Sequence, residues 1–351
     1  MEKTFKRTLL GAAVALASTV SINAQAADLT DNVQVYGQAA VSVWYQSFAE
    51  DNKENSLDVE NESRIGLRGT QEFNNFGPAV IWQIESGNVG DDGADGKLGV
   101  RDSFIGLEFD AGKFRFGRLT TPAYDIVDWP YTNPGLGNVF DWNTDIKGGA
   151  HLDRVGDHFR WDSKNYGGFT YSLSTGQGQN DTGNMFYSAA AHYTAGIFTG
   201  HLGYQTEGEA EVKVSDVAVG MGERSFYIAG IEAHLENGIS LVAAYKHMES
   251  DYSKQTGALT GITNEEQNAI SVTAQYVTGD WLYKVGYAMT DDLDSNNGST
   301  SGTSDTAITA RVLYMLDPSA VIYSDIRSYD FNDSNDAGDV TKLGLGIEYY
   351  F

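Results

Sequence analysis

From Asn32 to the C-terminus, hydrophobic and polar positions alternate in runs of about ten residues, each followed by a connection. In NVQVYGQAAVSVWYQ, Val33, Val35, Val41, Val43 and Tyr45 share one parity, and Gln34, Gln38, Ser42 and Gln46 the other. A period of two describes a strand with one apolar and one polar face. The pattern recurs in SRIGLRGT, PAVIWQIES, RDSFIGLEFD and GKFRFGR. After a long interruption it resumes with DHFRWDS and GGFTYSLST and continues to the terminal TKLGLGIEYYF. Sixteen such runs can be read, an even number.

The connections alternate in length. Short ones carry turn residues, as in Asp110-Ala111-Gly112, Thr194-Ala195-Gly196, Glu236-Asn237-Gly238 and Asp317-Pro318-Ser319. Long ones are acidic and polar: FAEDNKENSLDVEN, NVGDDGADGKLG, TEGEAEVKVSDVAVGMG, DDLDSNNGSTSGTSD and YDFNDSNDAGD. This asymmetry puts tight turns at one end of a meander and long loops at the other, as in outer-membrane barrels. A soluble sandwich shares the period. Aromatics near strand ends (Phe169 and Tyr171; Tyr276, Trp281 and Tyr283) favour a membrane-interface girdle. The expected fold is all-β, a 16-stranded antiparallel transmembrane barrel. A cylinder that wide encloses water, because side chains cannot fill it.

Composition sharpens this. The 351 residues carry a net charge of −25, with 40 Gly, 5 Pro and no Cys. So negative a chain argues against nucleic acid, and the missing cysteines exclude disulfides and thiol chemistry. The N-terminus has a basic start (Lys3, Lys6, Arg7), an apolar run from Leu9 to Val20 and a small-x-small site at Ala24-Gln25-Ala26. These are the parts of a secretory signal, so residues 1–26 are set apart and 27–351 form the barrel domain. Removing Glu2, Lys3, Lys6 and Arg7 takes the net charge from −25 to −27.

The longest connection, from about Leu119 to Arg154, holds three of the five prolines, and also Trp129, Trp142, Asp125, Asp128, Asp141 and Asp145. A loop of this length is usually functional, and folding it into the lumen would pack its tryptophans on the wall. Basic residues of the flanking strands sit on the polar parity. Ile65 and Leu67 flank inward Arg64 and Arg68; Phe114 and Phe116 flank Arg115; Phe159 and Trp161 flank His158, Arg160 and Asp162. An arginine facing lipid at mid-depth costs about 2–4 kcal/mol, which requires the inward assignment. Around Arg101 apolar residues occur on both parities, and the pattern alone leaves its side open.

SRIGLRGTQEF, the R-x-x-F-x-G-L of Arg101 to Leu107, GKFRFGRLTTPAYD, RVGDHFRWDSKNYGGF and the terminal Phe351 together resemble the general porins of the Gram-negative outer membrane, of the kind found in Vibrio, Shewanella and Neisseria. The resemblance spans nearly the whole mature chain. It implies a trimeric 16-stranded barrel with the third external loop folded inside as a constriction. It implies wall arginines at Arg64, Arg101 and Arg160, with Arg68 and Arg115 adjacent, and so turns Arg101 inward. The T-P-x-Y-D segment makes Asp125 the first acidic partner, followed by Asp128, Asp141 and Asp145. Where enteric members carry P-E-F-G-G, this chain has NPGLGNVFDW. Arg118, at the strand-to-loop junction, is assigned to loop support or the subunit contact. Tyr349 and Phe351 are implied as the signal read by the barrel-assembly machinery.

The implied function is passive diffusion of ions and small hydrophilic solutes. A solute-specific channel and a surface adhesin or receptor with an incidental pore are the alternatives. No lumen-parity aromatic series is evident from the runs, which disfavours a sugar-specific channel. There is no G-x-S-x-G, H-E-x-x-H or Walker loop, so no enzyme is expected. No cofactor is expected either. The acidic loops fail the EF-hand pattern, leaving loose Mg²⁺ or Ca²⁺ bridging from Glu50, Asp51, Glu54, Asp58, Glu60 and Glu62 to lipopolysaccharide phosphates. Acidic mouths predict a modest cation preference at low ionic strength.

Overall fold

The computed structural model describes residues 27–30, 32–50, 53–90, 96–178, 184–332 and 338–351. The signal segment 1–26, Asp51 and the loop stretch 91–95 lie outside them. Sixteen strands form the wall: β1 (Val33–Phe48), β2 (Arg64–Phe73), β3 (Phe76–Ser86), β4 (Leu98–Phe109), β5 (Gly112–Thr120), β6 (Arg154–Ser163), β7 (Phe169–Gln177), β8 (Met185–Ala195), β9 (Phe198–Val214), β10 (Val217–His234), β11 (Ile239–Gln255), β12 (Asn264–Thr278), β13 (Trp281–Thr290), β14 (Thr306–Asp317), β15 (Ala320–Asp330) and β16 (Val340–Tyr350). Each pairs antiparallel with its neighbours in sequence, and β16 pairs with β1 from Val340↔Phe48 to Tyr350↔Gln38. The sheet therefore closes and has no free edge, as a hydrocarbon environment demands.

The closing strand shows how the pattern becomes a wall. Leu343, Leu345, Ile347 and Tyr349 are about half exposed on the outer face, while Gly344 is buried on the inner one. Gly37 and Phe351 exchange both backbone hydrogen bonds, at 2.8 and 3.1 Å, so the last residue is pinned to the first strand. Tyr349 stacks on Phe351 with ring centroids 6.1 Å apart. Deleting Phe351 is expected to lower the yield of inserted barrel while leaving the conductance of assembled channels unchanged. Heat-modifiability on gels and single-channel recording measure the two separately.

At the tight-turn end, Trp281 packs on Tyr283 and Tyr314, with centroids 6.3 and 4.8 Å away, and Tyr276 pairs with Tyr283 across the strands. The long-loop end differs from the sequence reading. Residues 206–222, expected as a long loop, are mostly strand: β9 and β10 extend to a two-residue turn at Ser215 and Asp216, both with positive φ. Val212 and Val219 there are buried with Tyr252 and Leu259, which gives the extension its own small core. A further short strand, Ser56–Asn61, pairs with β1 inside the first acidic loop.

Candidate functional site

The 121–153 connection begins with α1 (Pro122–Asp128), capped by Thr121, whose hydroxyl accepts from Tyr124 N at 3.4 Å, with proline in the first turn. A second short helix, α2 (Gly137–Phe140), follows. Ala123, Ile126, Val127, Tyr131, Leu136, Val139 and Phe140 are buried in one cluster with Phe226, Ile228, Ala244, Ala269 and Ala288, which lie on the inner face of β10 to β13. Hydrogen bonds tie the segment to successive strands. Ala123 N donates to Ser188 Oγ (3.1 Å), Ser271 Oγ to Tyr131 O (2.5 Å), Lys246 Nζ to Asp141 O (3.1 Å) and Tyr329 OH to Gly135 O (2.8 Å). Farther along, Gln267 Oε1 accepts from Thr144 Oγ1 and Asp145 N (2.9 and 3.0 Å), and Lys147 pairs with the fully buried Glu265. The contacts reach from β8 to β15, all to side chains on the buried parity.

On the opposite side, the arginines are organised by two carboxylates. Glu85 takes Arg101 Nε at 2.5 Å and Arg64 Nε at 3.7 Å, and accepts from Tyr36 OH at 2.7 Å. Asp162 takes Arg115 Nη2 at 2.6 Å and Arg160 Nη2 at 2.8 Å. Arg115 and Arg160 are direct cross-strand partners, so the carboxylate between them offsets a like-charge opposition. Arg68 donates to Gln34 Oε1 at 3.1 Å, beside this set. Arg118 stands outside it: it pairs in register with Ser103 and donates to Val100 O at 2.6 Å.

The predicted acidic partners separate. Asp125 reaches the wall, its Oδ2 2.6 Å from Arg160 Nη1. Asp128 lies within electrostatic reach of Arg101 and Arg154. Asp141 does not face the arginines. It is 2% exposed, accepts from Tyr124 OH at 3.1 Å and lies 3.4 Å from His151 Nε2. Burial, then the Asp141 charge, pushes the Tyr124 hydroxyl far above its usual range, so it stays protonated and donates. Asp145 sits farther along, its backbone on Gln267. The alternation that located the arginines has no counterpart in an irregular loop, so loop carboxylates could not be sided from sequence.

Burial, followed by the charges of Asp141 and Asp125, pushes the Asp128 carboxyl up to about 6. The folded state thus holds this proton more tightly than an unfolded chain, and stability falls as pH rises from about 4 to about 6. Lowering the pH from 7 to 5 is expected to remove one loop charge and weaken cation preference. Zero-current potentials of wild type and Asp128→Asn across that range isolate this component.

Sequence reasoning missed a second basic group on β11 to β15. Arg311 makes two bonds to Asp325, at 2.6 and 2.7 Å, and Arg327 a third at 2.7 Å. Arg327 covers the Trp44 ring at 4.1 Å, Arg311 covers Tyr323 at 4.1 Å, and Lys284 lies 5.3 Å from the Trp129 ring. Their polar parity is visible in the runs, but they lie on strands far in sequence from the long loop. The runs show no series of inward aromatics, yet Tyr36 and Trp44 of β1 and Tyr323 and Tyr329 of β15 lie on the inner parity. In each run the two stand well apart, so the pattern alone shows no series, and closure of β16 onto β1 brings the two runs near each other.

A closed antiparallel barrel with polar inner and apolar outer faces identifies a class of membrane channel, and comparison places it more narrowly. A family model described as Gram-negative porin matches residues 11–334. The chain belongs to that family. Among its relatives, a chitoporin of Vibrio furnissii is 37% identical over 386 aligned positions, covering all of both chains. The major outer membrane protein P.IB of Neisseria gonorrhoeae is 25% identical over 274 positions, covering 73% of this chain and 77% of its own. Of solved structures, an anion-selective porin from Comamonas acidovorans superposes with a TM-score of 0.71 at 17% identity, over 91% of this chain and 99% of its own. The trimer form of OmpT from Vibrio cholerae gives 0.68 at 18% identity, with the same coverage. This porin is thus an integral protein of the outer membrane and not an enzyme.

Proposed function

We propose that this porin conducts ions and small hydrophilic solutes by passive diffusion, through an eyelet between the arginine wall and the 121–153 segment folded into the lumen. The observation that carries this is the Arg160–Asp125 ion pair, 2.6 Å, which fastens α1 to the arginine side while the rest of the segment rests on inner side chains of β8 to β15. Around it, Arg64, Arg101, Arg115 and Arg160 are matched by Glu85, Asp162, Asp125 and Asp128. Opposed charges across a narrow gap orient polar solutes and reject large apolar ones. With the eyelet nearly balanced, the sign of selectivity falls to the acidic mouths, favouring cations modestly at low salt. Reconstitution in planar bilayers tests this: steady ohmic channels with a cation-selective zero-current potential support it. A closed bilayer, or an anion-selective sign, overturns the corresponding part.

One observation favours a narrower substrate. Trp142, in the same segment, is 66% exposed, and an exposed indole offers a flat face for a sugar ring. The full-length chitoporin relative supports the same direction. On this reading chito-oligosaccharides interrupt the ion current at concentrations where maltose-type chains of equal length do not. A homotrimer is the proposed assembly, supported by the trimer form of OmpT. Lipopolysaccharide contacts bridged by Mg²⁺ or Ca²⁺ at the acidic loops, and recognition of Tyr349 and Phe351 during insertion, are proposed with it.

A further inference from the structure

On the inner face, towards the tight-turn end, four titratable side chains form an unbroken chain across three adjacent strands. His192 of β8 and His201 of β9 are direct cross-strand partners, and their Nδ1 atoms lie 2.7 Å apart. Nε2 of His201 is 2.9 Å from Glu232 Oε1 on β10. The other Glu232 oxygen is 3.1 Å from Nε2 of His234, whose Nδ1 lies 2.9 Å from Ser240 Oγ. The chain also touches the 121–153 segment, because the fully buried Tyr131 ring meets His201 edge-on with centroids 6.0 Å apart. Among the described residues no three His, Asp or Glu side chains converge on one point, so this is a relay and not a metal cage.

In the uncharged state the protons have one arrangement. A carboxylate only accepts, so His201 and His234 each present an Nε2–H to Glu232. A neutral His201 then has a lone pair on Nδ1 and accepts from Nδ1–H of His192. One further proton enters without breaking any contact, on the free Nε2 of His192, and the resulting cation is shared across the pair. A second proton is excluded, since it would set two N–H groups head to head at 2.7 Å and place two like charges together. Glu232 supplies the opposite charge that supports the single cation. The other titratable or charged groups facing the pair are His234 on β10, Asp125 of the loop and Arg160 on β6, the last two already joined to each other. Tyr131 faces it as a neutral phenol.

We propose that His192 and His201 act as a one-proton sensor that adds a single positive charge beneath the constriction as the medium acidifies, lowering cation preference. This rests on the reading of the 121–153 segment as the eyelet. The charge enters without disrupting the hydrogen-bonded chain, so selectivity changes while the open conductance is retained.

The test uses the full-length channel carrying Asp128→Asn, so that this loop carboxyl no longer titrates. From pH 7.5 to 5.0 the cation-to-anion permeability ratio is expected to fall about twofold, the order set by one unit charge screened in the pore. The added substitution His192→Asn should abolish most of that fall, and Glu232→Gln should move its midpoint to lower pH. An undiminished fall in the His192→Asn channel overturns the proposal. Imidazole NMR titration of the unsubstituted protein needs no variant to fold: one protonation shared by His192 and His201 is expected, and two independent titrations overturn it. A shared titration with an unmoved potential overturns the regulatory role and leaves the eyelet to its own test.

Discussion

Neutralising Arg64, Arg101 and Arg160 together is expected to raise cation preference about three- to tenfold in dilute salt. Each removed charge acts on a permeating ion across roughly 8 Å of water, about 0.5 kcal/mol, and three such terms unscreened reach the roughly 1.4 kcal/mol of a tenfold change. A Debye length near 10 Å at 0.1 M leaves about half of this, the threefold end of the range, and at 1 M the effect should largely vanish. The carboxylates they pair with become uncompensated: Glu85 loses both cations, and Asp125 loses its 2.6 Å partner. The shift therefore comes from exposed negative charge as well as lost positive charge. Methionine is the suitable replacement for Arg160, whose side chain is only 8% exposed, because its volume is largely kept. Breaking so buried a pair still costs about 3–5 kcal/mol, so the loop should loosen and open-channel noise rise. Zero-current potentials at 0.1 and 1 M salt measure both parts, and no change at 0.1 M would falsify the assignment of these arginines to the eyelet.

The barrel was legible because its signal is local and repeated. Each strand must satisfy two solvents at once, so every run of alternation carries the same information as the next, from NVQVYGQ to LGLGIEYYF. Parity also sided Arg64, Arg115 and Arg160, because mid-depth lipid forbids the other choice. Parity failed where two rules competed. In RDSFIGLEFD the register between β3 and β4 shifts near Ser86, and Gly99 has positive φ, so alternation breaks just before Arg101. TEGEAEVKVSDVAVGMG was assigned to a loop on its charge, yet Val212 and Val219 alternate through it and pack on Leu259. Charge governs burial in lipid, whereas β9 and β10 there only need a partner strand. The loop carboxylates were illegible for a different reason. Asp141 is turned from the arginines by Tyr124, His151 and Lys246, three residues whose meeting depends on how the segment packs against the strands. Glu85, which organises Arg64 and Arg101, showed only as one polar-parity residue among many.

Replacing Gly230 with valine should unseat the loop, with the largest effect of any single inner-wall substitution away from the arginines. Gly230 stands in β10 opposite His201, and a Cβ there would lie 2.1 Å from the Tyr131 hydroxyl and 2.4 Å from its ring. Tyr131 is fully buried and packs edge-on to Phe140 as well as His201, so the ring has no free space to retreat into without moving the segment. Gly203 on β9 makes the same kind of seat for Ile126 and Ala123, with approaches of 3.1 and 3.2 Å. A glycine inside a strand often marks such a close approach, which gives this pair a meaning that the sequence pattern alone did not reveal. Overpacking costs typically 1–3 kcal/mol, far less than a closed barrel of this size holds in its ladder, so the wall should assemble normally. The displaced segment should instead give a larger and noisier single-channel conductance. Tyr131→Ala is expected to do the same by removing the anchor, and the double substitution to do no more than either alone, since both act on one contact. Additive effects would mean that Gly230 and Tyr131 act through separate contacts. A folded Gly230→Val channel with wild-type conductance would show that the segment does not set the width of the pore.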